Sequence, residues 1–251
     1  MRIIAGKYRG RQISAVPSTG TRPTLDRVRE AWASSVTSMF DGGFEGLNVL
    51  DAFAGSGALG IEALSRGAAH CTFCERDRRA LRVLQENIAG LGINDAPGDG
   101  AGARTGGAAS NASTGAASAE NTAADQAGTT AAAQQTTTAA AQQTATNVAT
   151  VLPIDALSAG VAELVRGTAV YDLVALDPPY AMPQGSIKGL LASLGRAAKL
   201  AGGTVISYEH ALDAPDELDG FKLSAACAPL AMYLISQKIY GKVGIRYFVC
   251  R

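Results

Sequence analysis

The sequence predicts an α/β protein. Its core is a doubly wound, mostly parallel sheet with an antiparallel C-terminal edge and an N-terminal β-hairpin extension. Three observations predict this. Short apolar runs alternate with helix-periodic stretches from 47 to 209, the pattern of βα units. Two further runs, 233–240 and 245–250, flank Gly241-Lys242-Val243-Gly244 and read as an antiparallel pair. At the other end, 2–5 and 11–16 flank a turn containing Gly6 and Gly10.

The chain has 251 residues, 47% of them apolar, enough for a sizeable core. No apolar run is long enough to span a membrane, and Met-Arg-Ile-Ile at the start does not read as a signal peptide. The four cysteines follow no disulfide framework, so a cytoplasmic protein is expected. Formal charge balances to zero, but unevenly: residues 1–30 carry seven basic side chains against two acids. Two parts are expected: a basic extension over 1–44, and a domain over 45–251 interrupted at 95–147.

The hairpin tip carries Lys7, Tyr8, Arg9 and Arg11, cations to meet phosphate and an aromatic to stack on a base. The alternative is a solvated basic turn. Thr24, after Pro23, reads as the N-cap of a helix whose stripe is Val28, Ala31, Trp32, Ser35, Val36, Met39 and Phe40. Trp32 reads as core. Arg22, Arg27 and Arg29 crowd the start of this helix, where cations oppose its dipole. They read as partner-facing, unless Asp26 and Glu30 pair with them.

Leu47–Asp51 reads as the first sheet strand. The loop Ala52-Phe53-Ala54-Gly55-Ser56-Gly57 follows, then a helix through Arg66 that Gly67 closes. Gly55, Gly57 and Gly60 fit the dinucleotide spacing G-x-G-x-x-G. Taken alone they say only that backbone approaches a ligand closely at a helix N-terminus. Asp51 beside that loop would repel a pyrophosphate and attract an ammonium or sulfonium. The strand His70–Glu75 ends in an acid able to accept both hydroxyls of a ribose. Cys71 and Cys74 are i and i+3 on this strand and point to opposite faces, so they read as small core residues and no metal is expected. A helix follows over 77–91.

Residues 95–147 break the pattern. From Ala96 to Asn147 there is no Val, Leu, Ile, Met, Phe, Tyr or Trp. Such a segment cannot bury enough apolar surface to offset its ordering entropy. A disordered insertion in a surface loop is expected. Val148–Leu152 reads as the next strand, with Asp155 just beyond it, and a helix is expected over 161–166. The run Tyr171–Leu176 is a buried strand that Asp177-Pro178-Pro179-Tyr180 ends abruptly. An acid, two prolines and an aromatic at the carboxyl end of a strand sit where open α/β sheets bind ligands. They suit a planar group carrying an amine. A helix over about 186–200 and the strand 204–209 follow, then an uncertain stretch at 211–230.

These residues together resemble the class I S-adenosylmethionine-dependent methyltransferases, with a Rossmann-like fold. More closely, they resemble the RsmD family, the bacterial 16S ribosomal RNA guanine-N2 methyltransferases. The resemblance rests on Arg2–Arg11, Arg22–Glu30, Phe53–Gly67 and Asp177–Tyr180. The two arginine-rich motifs are the specific part, because the glycine loop and D-P-P-Y recur in many amino-methyltransferases. The segment 95–147 and the length of chain before Tyr233 depart from the family.

The resemblance implies S-adenosylmethionine as cofactor. It implies that Asp51, Phe53, Ala54, Gly55, Ser56 and Gly57 hold its methionine part, Glu75 its ribose and Asp155 its adenine amine. It also implies 16S ribosomal RNA, or the small ribosomal subunit, as partner. A monomer is expected. Asp177 and the Pro178 carbonyl would accept the two amine hydrogens. Pro179 would shape the turn and Tyr180 would stack on the base. An acid at 177 favours guanine, whose N2 lies beside N1–H, so that both groups donate. A DNA adenine-N6 or cytosine-N4 methyltransferase and a non-catalytic RNA-binding module remain as alternatives.

Overall fold

The computed structural model describes residues 1–17, 26–95, 148–158, 169–212, 217–224 and 229–251. Arg22, Thr24, the helix expected over 161–166 and the expected insertion from Ala96 onward lie outside these ranges. Internal contacts divide the chain into Met1–Ala101 with Ala145–Arg251, and a second unit, Gly102–Thr144. All described residues belong to the first.

The elements are α1 (Asp26–Thr37), β1 (Asn48–Asp51), α2 (Ala58–Ser65), β2 (His70–Cys74), α3 (Arg78–Leu91), β3 (Asn94–Asp95) and β4 (Val148–Leu152). Then come β5 (Leu173–Leu176), α4 (Gln184–Arg196), β6 (Val205–Ala211), β7 (Lys222–Ser224), β8 (Pro229–Tyr240) and β9 (Val243–Cys250). The strands form one sheet in the order β3-β4-β2-β1-β5-β6-β9-β8-β7. From β3 to β6 every pairing is parallel; β9, β8 and β7 add antiparallel pairs. The expected class and its antiparallel edge are therefore present.

Alternation along the strands divides the core between two faces. Val49, Cys71, Phe73, Leu173, Ala175, Val205 and Tyr247 share one core with residues of α1, α2 and α3. Leu50, Cys74, Val174, Leu176, Ile206, Tyr208 and Phe248 share the other with Ile187, Leu190, Leu191 and Leu194 of α4. Covering both faces explains why β5 is buried at all four positions and reads as an unbroken apolar run. It also puts Cys71 and Cys74 in different cores, as their spacing requires. Among the described residues no group of His, Cys, Asp and Glu could hold a metal ion.

The expected N-terminal hairpin is present but short. Arg2 and Gln12 form an antiparallel bridge, the Ile3 N–H donates to the Arg11 carbonyl at 3.0 Å, and the Ile13 N–H donates to the Met1 carbonyl at 2.9 Å. The reason lies in α2. The N–H groups of Ile4 and Ala5 donate to the buried Glu62 carboxylate at 2.9 and 3.1 Å, and Lys7 N–H donates to the Ser65 carbonyl at 2.6 Å. Beyond Ile3 the backbone N–H groups therefore turn to a helix, and the pairing of the arms stops there. Gly6, at φ +82°, lies so close that a Cβ would strike the Ser65 carbonyl.

Three boundaries differ as well. Helix α1 stops at Thr37, short of Met39 and Phe40, because the Met39 N–H bonds back three residues to Val36. Asp95, read as the start of the insertion, closes β3, and Asn94 and Asp95 pair with Val148 and Ala149. The uncertain stretch holds the edge strand β7, and β8 begins four residues earlier than expected, at Pro229.

Candidate active site

Strand order reverses between β1 and β5: the chain leaves β1 toward β2 on one side, and β5 and β6 lie on the other. In open α/β sheets the crevice at such a reversal binds ligands. Asp51 ends β1 and pairs in register with Ala175, two residues before Asp177. The Ala52 N–H donates to the Ala175 carbonyl at 3.1 Å and ties the two strand ends together.

Asp51 is 1% exposed, and its Oδ2 accepts from the Gly60 N–H at 3.0 Å. Burial raises its carboxyl from 3.8 to about 7. The Gly60 N–H opposes the rise, and the charges of Asp177 and Glu75 add to it. The two ends of the loop after β1 are built differently. Gly55 has φ +54° and open space where a Cβ would stand, so a ligand could approach that side of its backbone. A Cβ on Gly60 would collide with the Phe73 ring and the Cys71 sulfur, so glycine there seats α2 on β2.

Glu75, just past β2, reaches back to this loop. Its Oε2 accepts from the Gly55 N–H at 2.8 Å, and its Oε1 accepts from the Asp77 N–H at 2.7 Å. The Ala54 N–H donates to the Cys74 carbonyl at 3.0 Å. Asp155, past β4, accepts from the Leu157 N–H at 3.0 Å and from Arg76 at 2.8 Å. Burial pushes its carboxyl up, but the Leu157 and Arg76 contacts outweigh that and leave it below the ordinary value.

The D-P-P-Y segment follows β5. Pro178 is buried, Asp177 is half-buried and Tyr180 is 49% exposed. The Pro179 carbonyl accepts from the Met182 N–H at 2.8 Å, which closes the turn. The Tyr180 hydroxyl donates to Glu209 Oε1 at 3.0 Å. Leu176 pairs with Tyr208, so Glu209 on β6 stands level with Asp177. Sequence reading placed Glu209 at a strand end and gave it no role. An acid at the end of the run 204–209 was a usable signal, but the neighbour of β6 could not be read locally.

The fold brings Asp51, Gly55, Glu75 and Asp177 to one end of adjacent strands, with Phe53, Ala54, Ser56 and Gly57 in the loop among them. It treats the basic N-terminus less uniformly. Lys7, Arg9 and Arg27 are exposed. Tyr8 is only 5% exposed, packed in the core with Lys7 over its ring, so it offers no stacking surface. Arg29 is fully buried, pairs with Asp26 and donates to the Arg2 carbonyl, both at 2.6 Å. It therefore presents no charge to a partner, and the internal pairing weighed from sequence holds for this arginine. Arg11 donates to the Gly90 and Leu91 carbonyls at the C-terminus of α3, where a cation complements the dipole.

Comparison with known proteins follows the same lines. Residues 1–104 match the family model described as conserved hypothetical protein 95. YlbH of Bacillus subtilis, named as a candidate rRNA methyltransferase, is 48% identical over 91 residues, 36% of this chain and 47% of that protein. Ribosomal RNA small subunit methyltransferase D of Escherichia coli is 46% identical over 99 residues, 38% of this chain and 46% of that protein. The chain spans about half the length of these curated relatives. Among solved structures, yhhF of Escherichia coli, a candidate methyltransferase, has a TM-score of 0.60 at 25% identity, covering 99% of this chain and 97% of that one. A candidate methylase from Haemophilus influenzae has a TM-score of 0.56 at 22% identity, with coverage of 99% and 97%, and supports the fold alone.

Proposed function

We propose, for a chain that belongs to the RsmD or conserved hypothetical protein 95 family and has the class I methyltransferase fold, that it methylates the exocyclic N2 amine of a guanine in 16S ribosomal RNA of the small ribosomal subunit. The observation that carries this reading is the placement of Asp177 beyond β5, level with the carboxylate loop of β1 across the point where strand order reverses.

The residues fit S-adenosylmethionine. Asp51 is a buried acid whose ionised form would be favoured by a cation alongside. Gly55 has open space on the side where a Cβ would stand, and Glu75 and Asp155 are carboxylates past β2 and β4. Asp51 and the loop to Gly57 would hold the methionine part, Glu75 the ribose and Asp155 the adenine amine. Bound in this way, the cofactor would supply an electrophilic methyl group.

The protein's own groups act on the acceptor. Asp177 and the Pro178 carbonyl would accept the two hydrogens of the guanine amine and draw its nitrogen toward a tetrahedral shape. Its lone pair is then aimed out of the ring plane. Once the nitrogen is methylated its proton is acidic, and Asp177 or solvent takes it up. Tyr180, half exposed beside this site, would stack on the base, which must leave its neighbours to reach the pocket. Residues 1–44 would serve as the RNA-facing extension, through Lys7, Arg9 and Arg27.

The test is incubation with labelled S-adenosylmethionine and either unmodified small ribosomal subunits or DNA, followed by identification of the nucleoside. N2-methylguanosine in 16S RNA is expected. Methyladenine or methylcytosine in DNA would replace this reading with the DNA methyltransferase alternative.

A further inference from the structure

We propose that Glu209 is a positioning residue for methyl transfer, acting through Tyr180. This deepens the functional reading above and rests on it. Tyr180 lies on an irregular segment, and its ring is half exposed. Its hydroxyl donates to Glu209 Oε1 at 3.0 Å, which ties the ring to β6.

Glu209 is well suited to anchor the Tyr180 ring. It lies within β6, paired in parallel with β5 and antiparallel with β9, so its backbone is fixed from both sides. Its residue is 8% exposed. With Ser207 it lines a small cavity against Val28 and Trp32 of α1. The Trp32 indole N–H is bonded to the Ser207 hydroxyl at 3.0 Å, which braces that wall. A carboxylate can only accept, so Tyr180 must donate, and a hydroxyl-to-carboxylate bond in apolar surroundings is among the stronger hydrogen bonds. The Tyr180 hydroxyl is thereby pinned over β6, beside the level at which Asp177 leaves β5. The ring is fixed as one wall of the acceptor site before any base arrives, and this preorganisation lowers the ordering cost of binding the flipped base.

The test compares Glu209→Gln, Glu209→Ala, Tyr180→Phe and the double variant Tyr180→Phe/Glu209→Ala, using the full chain and unmodified small subunits. Glu209→Ala and Tyr180→Phe are each expected to lower kcat/KM about tenfold or more, the scale of a lost charge-assisted hydrogen bond. The double variant should be no worse than either single one, because both remove the same bond. Glu209→Gln, which keeps an acceptor oxygen, should recover most of the loss. S-adenosylmethionine affinity by calorimetry should be unchanged in all four.

Losses that add in the double variant, or a Glu209→Gln enzyme as impaired as Glu209→Ala, would overturn the proposal. The tether is also read without any acceptor, from the ring resonance of Tyr180 in isotope-labelled tyrosine samples, assigned by its loss in Tyr180→Phe. It should shift in Glu209→Ala. A shifted resonance with no transfer by the wild type would count against the functional reading; an unshifted one would count against the tether.

Discussion

The buried carboxylate of Asp51 and the backbone N–H of Gly60 meet at 3.0 Å across the first turn of α2. That bond does not offset the loss of water, and the Asp51 carboxyl sits near 7. The folded state therefore holds this proton where the unfolded chain, at about 4, has released it. Stability contributed by the protonated form is fully present below about pH 4 and is lost as pH rises through about 7. The thermal midpoint of the donor-free protein should fall between about pH 5 and pH 8, and Asp51→Asn should flatten this dependence. A bound cation favours the ionised form, so S-adenosylmethionine affinity should rise over the same interval. Midpoints and calorimetric affinities across pH check both signs.

The carboxylate of Glu62 is the anchor of the N-terminal loop. It accepts from the N–H groups of Ile4 and Ala5 and from Arg66 at 2.8 Å, while fully buried. Glu62→Ala strands three donors together and should cost about 3 kcal/mol. Gly6→Ala should be destabilising for a separate reason, combining positive φ with a clash against the Ser65 carbonyl. Urea unfolding of the two variants tests this, and midpoints unchanged from wild type would show that the loop is not fastened to α2.

RNA binding should divide the basic residues as their exposure does. Neutral substitutions at Lys7 and Arg9 should weaken RNA affinity and reduce its salt slope by roughly one unit per lost phosphate contact. Arg11→Gln should act through stability, since its guanidinium is bonded to the end of α3. Arg29→Ala should lower the thermal midpoint and leave the salt slope alone. The measurement is RNA affinity against salt concentration. Equal slopes for wild type and the Lys7/Arg9 double variant would remove the loop tip from the RNA site.

Deleting 96–147 should be tolerated. The segment lacks large apolar side chains, and its flanks end on neighbouring strands, with Asn94 paired to Val148 and Asp95 to Ala149. Because β3 and β4 are parallel, the replacement must cross back along the strands, and a linker of roughly a dozen Gly and Ser residues is needed. Thermal midpoint and methyl transfer of the deletion variant should match the wild type within error. A collapse of either would show that the segment packs or binds.

How much of this was legible beforehand follows from how local each signal is. The strand before Asp177 is apolar at every position and stopped by two prolines, so both the strand and its exposed end were readable. Gly55 and Gly60 marked a close approach, although only the structure separates the glycine facing open space from the one facing Phe73. Tyr8 and Arg29 were misread because composition gives charge and ring but not direction. In sequence, nothing distinguishes an arginine that faces solvent from one that turns inward to Asp26 and the Arg2 carbonyl. The hairpin is shorter than expected for a similar reason: the N–H groups of Ile4 and Ala5 found Glu62, 58 and 57 residues away. Glu209 was hidden because its partner is set by which strand lies beside β5, a fact of topology. The edge strand β7 has only three residues, too few to show a period.

The most direct test of the account is Asp177→Ala. The proposed reading assigns Asp177 to the acceptor amine, and Asp51, Glu75 and Asp155 to the donor. The variant should bind S-adenosylmethionine within about threefold of wild type, a difference under 1 kcal/mol, while methyl transfer to unmodified small subunits falls below detection. Calorimetry and a single-turnover transfer assay on the same preparation give both numbers. A large loss of donor affinity, or transfer that persists near the wild-type rate, would contradict the assignment of Asp177 to the acceptor.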